Sequence, residues 1–272
     1  MSASLYRPPT IATADILVLG GSTGAVEAAC AAAAAGRSVV LATPQTYVGE
    51  DVCAHLRCWR EGEQEPLTPL AQAVFDPAFE QALPVTPMQV KYRLEHALLD
   101  AGVQLLYMTY PMWAVRDSDG GLAGCVVADR SGFQLIRAAC VIDATERAMA
   151  ARQWQMPFRE LPSGEYAVDY VTIGGAPEAA VCGDVRELPG GVAVGDQTFT
   201  GYAWRLSLPF ADAGPAAFAR AEATARARTW QPGQVWAADR PFVLLPDRLR
   251  AGVSIPAWPG ADAVDLAAFR VP

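Results

Sequence analysis

Cys53, His55, Arg57 and Cys58 stand close together, and their side chains are of the kinds that do covalent and acid–base chemistry. A cysteine thiolate is a nucleophile and a redox group. An imidazole, whose ordinary pKa lies near neutrality, can take a proton from a substrate. The same residues can equally form the wall of a pocket. The Cys-x4-Cys spacing of Cys53 and Cys58 is neither a zinc nor a thioredoxin-like motif. Cys53 and His55 are therefore the candidate catalytic pair. No metal site is expected, because the chain has only two histidines and the second, His96, lies in the helical pattern Val90–Asp100.

A second group has binding rather than reactive character. Gly20-Gly21-Ser22-Thr23-Gly24-Ala25 follows a short apolar run and precedes an alanine-rich one. A dinucleotide pyrophosphate needs a tight strand-to-helix turn, close backbone approach and the positive end of a helix. Gly20 supplies the tight turn, Ser22 stands at the second glycine of G-x-G-x-x-G, and Ala25 stands at the third, where alanine is tolerated. The ribose-holding acid expected at the end of the second strand is missing: Thr43 occupies that place, with Gln45 close behind.

These residues need elements to hold them. Pro8 and Pro9 predict an extended arm over residues 1–13. Asp15–Leu19 reads as a buried strand, Thr23–Ala35 as a helix stopped by Gly36, and Ser38–Leu41 as a second strand, which together make a right-handed βαβ unit. Residues 44–68 are irregular, and 69–82 carry a helical pattern. Thr86-Pro87 opens an amphipathic helix through Leu99, followed by a strand over Val103–Met108. Ala114-Val115, Gly124–Asp129 and Phe133–Ile136 form a three-stranded meander around turns at Asp117–Gly121 and Ser131-Gly132, and Ala139–Ile142 is one more buried strand. After residue 155, frequent turn signals separate β-rich runs such as Tyr166–Ile173 and Gln197–Leu208, with one helix at Pro215–Thr229.

Composition narrows the function classes. The chain has 272 residues, 52% of them hydrophobic, enough for one large domain or two modest ones. Its net charge of −8 supplies no basic face for nucleic acid. No apolar run approaches the ~20 residues of a membrane span, and Met1–Pro9 lacks a secretory pattern. Six cysteines in a chain this long are not a disulfide framework, so a cytoplasmic protein with free thiols is expected.

Four blocks in order then resemble the FAD-dependent oxidoreductase family with the glutathione-reductase-type FAD fold. They are Asp15–Thr43 with Tyr47-Val48-Gly49-Glu50-Asp51, Pro87–Leu106, the meander Val115–Ala139, and Cys140-Val141-Ile142-Asp143-Ala144-Thr145. Met156-Pro157-Phe158-Arg159 resembles the stretch that follows. The resemblance implies an α/β chain: a Rossmann-like FAD-binding domain with a β-meander over 1–155, with an excursion at 44–84, and a mostly antiparallel α+β substrate subdomain over 156–272.

The resemblance also implies FAD and its contacts. The Gly20–Ala25 backbone would cradle the pyrophosphate, and Thr43 and Pro44 would border the adenosine ribose. Pro111 or Met112 would lend backbone to the adenine, and Ala144 and Thr145 would line the same pocket. Gly49, Glu50, Asp51 and Cys53 would run beneath the ribityl chain, which makes Cys53 a candidate flavin tether. Two departures stand out: Glu146 replaces a family glycine, and no C-terminal return to the FAD domain is expected before Val271-Pro272. A second polypeptide supplying that segment is the expected partner, beside a small-molecule substrate. Tyr166, Tyr170, Tyr202, Trp204 and Arg205 could face substrate or simply pack, and Trp230, Trp236 and Trp258 could meet the partner chain. The leading expectation is hydride transfer from a small polar organic substrate to flavin. The competing ones are a scaffold subunit that has lost its cofactor and, less well supported, a nicotinamide-binding protein.

Overall fold

The computed structural model describes residues 7–59, 68–75, 85–156, 163–177, 184–188, 190–211, 214–243 and 268–270. The expectations for Cys182, Trp258, Pro157–Arg159 and residues 76–82 fall outside that set. Two compact units are present, one built from 1–50, 94–158 and 260–272 and the other from 51–93 and 159–259.

The first unit is built on one sheet. β1 (Thr10–Leu19) feeds the turn at Gly20-Gly21, α1 (Thr23–Ala34) crosses over, and β2 (Val39–Ala42) lies parallel to β1 with Leu17 opposite Val40. β3 (Gln104–Leu106) extends the parallel set beside β2. On the other side of β1 runs β6 (Gly132–Asp143), which also pairs with β5 (Leu122–Asp129), and β4 (Tyr110–Arg116) closes the order β3-β2-β1-β6-β5-β4. Leu17, Leu19, Val40, Val127, Ile136 and Val141 form its core. Each such buried side chain stabilises the fold by roughly 2 kcal/mol.

Three local expectations change here. The prolines predict an arm up to residue 13, whereas β1 starts at Thr10, because Thr10–Ala14 pairs with Leu135–Ala138 across a bulge. Phe133–Ile136 and Ala139–Ile142 read as separate strands, whereas β6 is continuous. Its first half pairs with β5 and Leu135–Asp143 with β1, so ladder bonds bridge the polar break at Arg137. The sequence offers no strand returning from the far end of the chain, yet β14 (Ala268–Arg270) pairs antiparallel with Cys140–Ile142. The β5 pairing ends at Arg137, which leaves that edge of β6 open for a further strand.

In the second unit, α2 (Glu50–Cys53) carries the chain out of the first, and α3 (Pro69–Val74) is capped by Thr68 Oγ1, which accepts from Ala71 N at 3.0 Å. α4 (Pro87–Asp100) leads back. Its start is a capping box: Thr86 Oγ1 accepts from Gln89 N while Gln89 Oε1 accepts from Thr86 N at 2.9 Å. After α5 (Met149–Gln153), β7 (Gly164–Gly174), β8 (Asp184–Glu187) and β11 (Gly201–Phe210) make an antiparallel sheet, with a small ribbon of β9 (Val192–Val194) and β10 (Gln197–Phe199) beside them in sequence. β12 (Gln234–Ala237) and β13 (Phe242–Val243) pair with β7. The run Gln197–Leu208 is therefore two strands, interrupted at Thr200. α6 (Pro215–Thr229) lays Ala217, Ala221 and Ala225 into a cluster with Tyr170, Trp204 and Phe210. Among the described residues no helix is long and apolar enough to cross a membrane.

Candidate dinucleotide site

The turn between β1 and α1 is fixed from three sides. Gly20 N donates to Ala42 O at 2.8 Å, Ala144 N donates to Leu19 O at 2.8 Å, and Gly49 N donates to Gly21 O at 2.6 Å. Gly20 has φ of +111°, and a β-carbon there would overlap the Ala144 carbonyl and lie 2.8 Å from Thr145 N. Only glycine fits. Ser22 is the N-cap of α1, its Oγ accepting from Ala25 N at 3.1 Å. The outer side of the turn is open: a β-carbon on exposed Gly24 would meet nothing nearer than Ser22 Oγ at 3.8 Å. Ser22 and Thr23 are half-buried and Ala25 is buried. Small residues, a close backbone and a helix start leave the room and polarity that a diphosphate requires.

The loop after β2 closes the other side. Thr43 N donates to Leu106 O and Thr109 N donates to Thr43 O, both at 2.9 Å, so the loop is pinned to the chain after β3. Thr43 is fully buried, and its hydroxyl accepts from Gln45 N at 3.3 Å. A β-carbon on Gly21 would lie 2.7 Å from Thr43 Oγ1 and 3.1 Å from Glu50 Oε2. Thr43 and Glu50 thus pack behind the turn, with their polar atoms turned toward Gly21. Pro44 and Asp51 are half-buried, and Gly49 is buried.

Asp143, at the end of β6, holds the third wall. Its Oδ1 accepts from Thr145 N at 3.0 Å and from Thr145 Oγ1 at 2.6 Å, and its Oδ2 accepts from Ala151 N at 2.7 Å. Burial pushes its pKa up, and these hydrogen bonds pull against that shift. Ala144 and Thr145 are positioned by this carboxylate. Thr145 Oγ1 in turn accepts from Met149 N at 2.6 Å. Glu146 is exposed, so the residue replacing the family glycine does not bury a charge here. Asp143 holds this wall of the candidate site and is not among the residues the sequence marks for it. The Ile142-Asp143-Ala144-Thr145 block was visible, but nothing local marks its aspartate as the clamp.

Met112 sits at a β-bulge. Pro111 pairs with Val127 and Trp113 with Val126, so Met112 has no partner position on β5. Its backbone hydrogen-bonds to Cys125 Sγ, a smaller influence on that thiol than the burial that pushes its pKa up to about 12.

The proposed catalytic residues stand in the second unit. Cys53 is buried, its Sγ donates to Pro87 O at 3.6 Å, and burial pushes its pKa up to about 12. Cys58 is pushed up to about 12 for the same reason. Both thiols are protonated at neutral pH, which favours the wall reading over the nucleophile reading. His55 is buried, and its Nδ1 lies 2.9 Å from Arg240 O, which fixes the proton on Nδ1. Its ring meets Phe242 edge-on at 5.4 Å between centroids. Burial, reinforced by the charges of Arg240 and Arg57, lowers its pKa to about 4. So weak a base removes a substrate proton poorly at neutral pH. Among the described residues no group of three or more His, Cys, Asp or Glu could hold a metal.

Of the expected substrate-facing aromatics, Tyr170 and Trp204 are buried. Tyr170 donates to Ala238 O at 2.7 Å and Trp204 Nε1 donates to Thr172 Oγ1 at 2.9 Å, so both pack the core. Arg205 instead lines an open cleft with Arg57, Trp59, Asp169, Asp184 and Arg186.

Comparison with known proteins follows this geometry. The profile of the family described as FAD dependent oxidoreductase matches residues 15–256. A geranylgeranyl bacteriochlorophyll reductase-like protein from Thermoplasma acidophilum is 16% identical with a TM-score of 0.50, covering 72% of this chain and 57% of that one. The anhydrotetracycline hydroxylase OxyS from Streptomyces rimosus is 14% identical with a TM-score of 0.51, covering 85% of this chain and 52% of that one. The chain thus spans a little over half the length of these structures, and at such identity the likeness is one of fold. No curated protein matches the sequence.

Proposed function

We propose, from the premise that this chain belongs to the FAD-dependent oxidoreductase family, that it takes part in hydride transfer from a small polar organic substrate. Its cofactor is FAD. When bound, the flavin supplies the electron-accepting chemistry, and the protein supplies binding and orientation. The backbone of Gly20–Ala25 holds the pyrophosphate, with Ser22 Oγ keeping the helix start in place. Pro44 and the backbone at Thr43 border the ribose. Met112, released from its ladder by the bulge, offers backbone to the adenine. Ala144 and Thr145, clamped by Asp143, form the wall behind Gly20, and Gly49, Glu50 and Asp51 continue the pocket. The observation that carries this reading is the Gly20 turn, closed against Ala144 within and open at Gly24 without.

Titration of the purified chain with FAD, followed by quenching of flavin fluorescence, tests it. Saturable binding that ADP competes away supports the reading. A chain that neither carries nor takes up flavin returns the scaffold alternative.

The enzyme also works, in this reading, with a second polypeptide. Exposed apolar residues at the end of α6 and on β12 support that part: Trp230 is 66%, Val235 47% and Trp236 48% exposed. The mass of the native assembly checks it, and a monomer carrying FAD and turning over substrate would remove it.

A further inference from the structure

The tip of β6 ends in a buried carboxylate, Asp143, only 2% exposed. Its hydrogen bonds all run one way. Oδ1 accepts from the N–H and from the hydroxyl of Thr145, and Oδ2 accepts from the N–H of Ala151 in α5. The Thr145 hydroxyl itself accepts from Met149 N at 2.6 Å, so its own proton is directed to Asp143. Both carboxylate oxygens therefore act as acceptors, as in an ionised group, and the bonds at 2.6 Å and 2.7 Å are of charge-assisted length. An amide in the same place would turn an NH2 against one of these donors.

One of the donors reaches the dinucleotide corner. The peptide between Ala144 and Thr145 gives its N–H to Asp143 at 3.0 Å. The carbonyl of the same peptide is the group against which Gly20 closes. A peptide is a rigid plane, so fixing its N–H end orients its C=O end. The peptide before it is fixed as well, with Ala144 N donating to Leu19 O at 2.8 Å. Asp143 thus acts on the turn through a single planar unit, while its oxygens face their own donors.

We propose that Asp143 is the positioning residue of the dinucleotide corner. By gripping the N–H of the Ala144–Thr145 peptide it sets the carbonyl that backs Gly20, and so sets the affinity for the diphosphate of the bound dinucleotide. Thr145 is the second half of the grip, because its hydroxyl joins Met149 N to the carboxylate. The inference rests on the FAD reading of this corner and assigns Asp143 no contact with the ligand.

The test is a titration of the full chain and its variants with FAD, followed by quenching of flavin fluorescence, and with ADP in competition, beside urea unfolding of each variant. D143N should weaken both ligands by about tenfold or more, since bonds to a charged acceptor are lost and a donor is set against a donor. T145V removes the hydroxyl and keeps the N–H, and should weaken both by about fivefold, whereas T145S should rescue them to within about twofold of the parent. A carboxylate that serves stability alone would lower the urea midpoint of D143N and leave the dissociation constants of the folded chain unchanged, and that result overturns the inference. If D143N does not fold, the Thr145 pair decides: T145V binding as well as the parent, or T145S binding as weakly as T145V, overturns it. A parent chain that binds neither FAD nor ADP removes the FAD reading and this inference with it. A parent that binds both, with D143N and T145V binding them equally well, removes the inference alone.

Discussion

Gly20 packs its α-carbon directly against the carbonyl of Ala144, with no space for a side chain between them. The contact joins the end of β1 to the end of β6, the two strands whose tips form the proposed dinucleotide corner. Gly20→Ala would place a β-carbon in that carbonyl and hold alanine at φ of +111°. Strain and overlap together should cost about 3 kcal/mol. Gly24→Ala is the control on the same turn. It meets only Ser22 Oγ at 3.8 Å and should stabilise by about 0.5–1 kcal/mol through helix propensity. Urea midpoints of the two variants check the pair, and equal midpoints would show that the Gly20–Ala144 contact carries no constraint.

Ser22 departs from the glycine of the dinucleotide motif, and its hydroxyl serves the helix. It accepts from Ala25 N at 3.1 Å, with only a long approach to Ala144 O at 3.5 Å. Ser22→Ala should therefore lose about 1 kcal/mol of stability, and Ser22→Gly only a few tenths. Ser22→Gly should also retain FAD affinity, since it restores close backbone approach. A large affinity loss in Ser22→Gly with unchanged stability would instead make the hydroxyl a phosphate ligand.

The βαβ start was legible in the sequence because its signals are local: an apolar run, a glycine turn, an alanine helix. α4 was legible for the same reason, through Thr86-Pro87 at its start and its amphipathic pattern. What escaped depends on partners distant in sequence. β1 begins at Thr10 because Leu135–Ala138 lies beside it. Thr43 was expected to reach a ribose, but its hydroxyl is turned inward toward Gly21, a placement set by the loop closure through Gly49. Asp143 acquires its role only when Thr145 and Ala151 converge on it. The place of Arg205 on β11, opposite Asp169 of β7 and Asp184 of β8, could not be read before the register was known.

The buried thiols offer a direct chemical check. Cys53, Cys58 and Cys125 are each pushed up to about 12 by burial. The thiolate is the reactive form, so at pH 7.5 these three should resist a thiol reagent in the native chain. They should react promptly once the chain is unfolded in guanidinium. Rapid native labelling mapped to Cys53 by peptide mass would restore its candidacy as tether or redox group.

His55 gives the fold a dependence on acid. Its pKa is about 4 in the folded chain, against 6.5 ordinarily, chiefly because it is buried. Between those values the unfolded chain holds a proton that the folded chain does not, so stability falls as pH falls from 6.5 toward 4 and the loss is complete below that. A shift of this size corresponds to about 3 kcal/mol. His55→Gln keeps a donor for Arg240 O and cannot be protonated. Urea unfolding at pH 7, 5.5 and 4.5 should then show a midpoint that drops in the parent chain and drops much less in the variant. Parallel curves would mean that the pKa of His55 is not lowered in the folded chain.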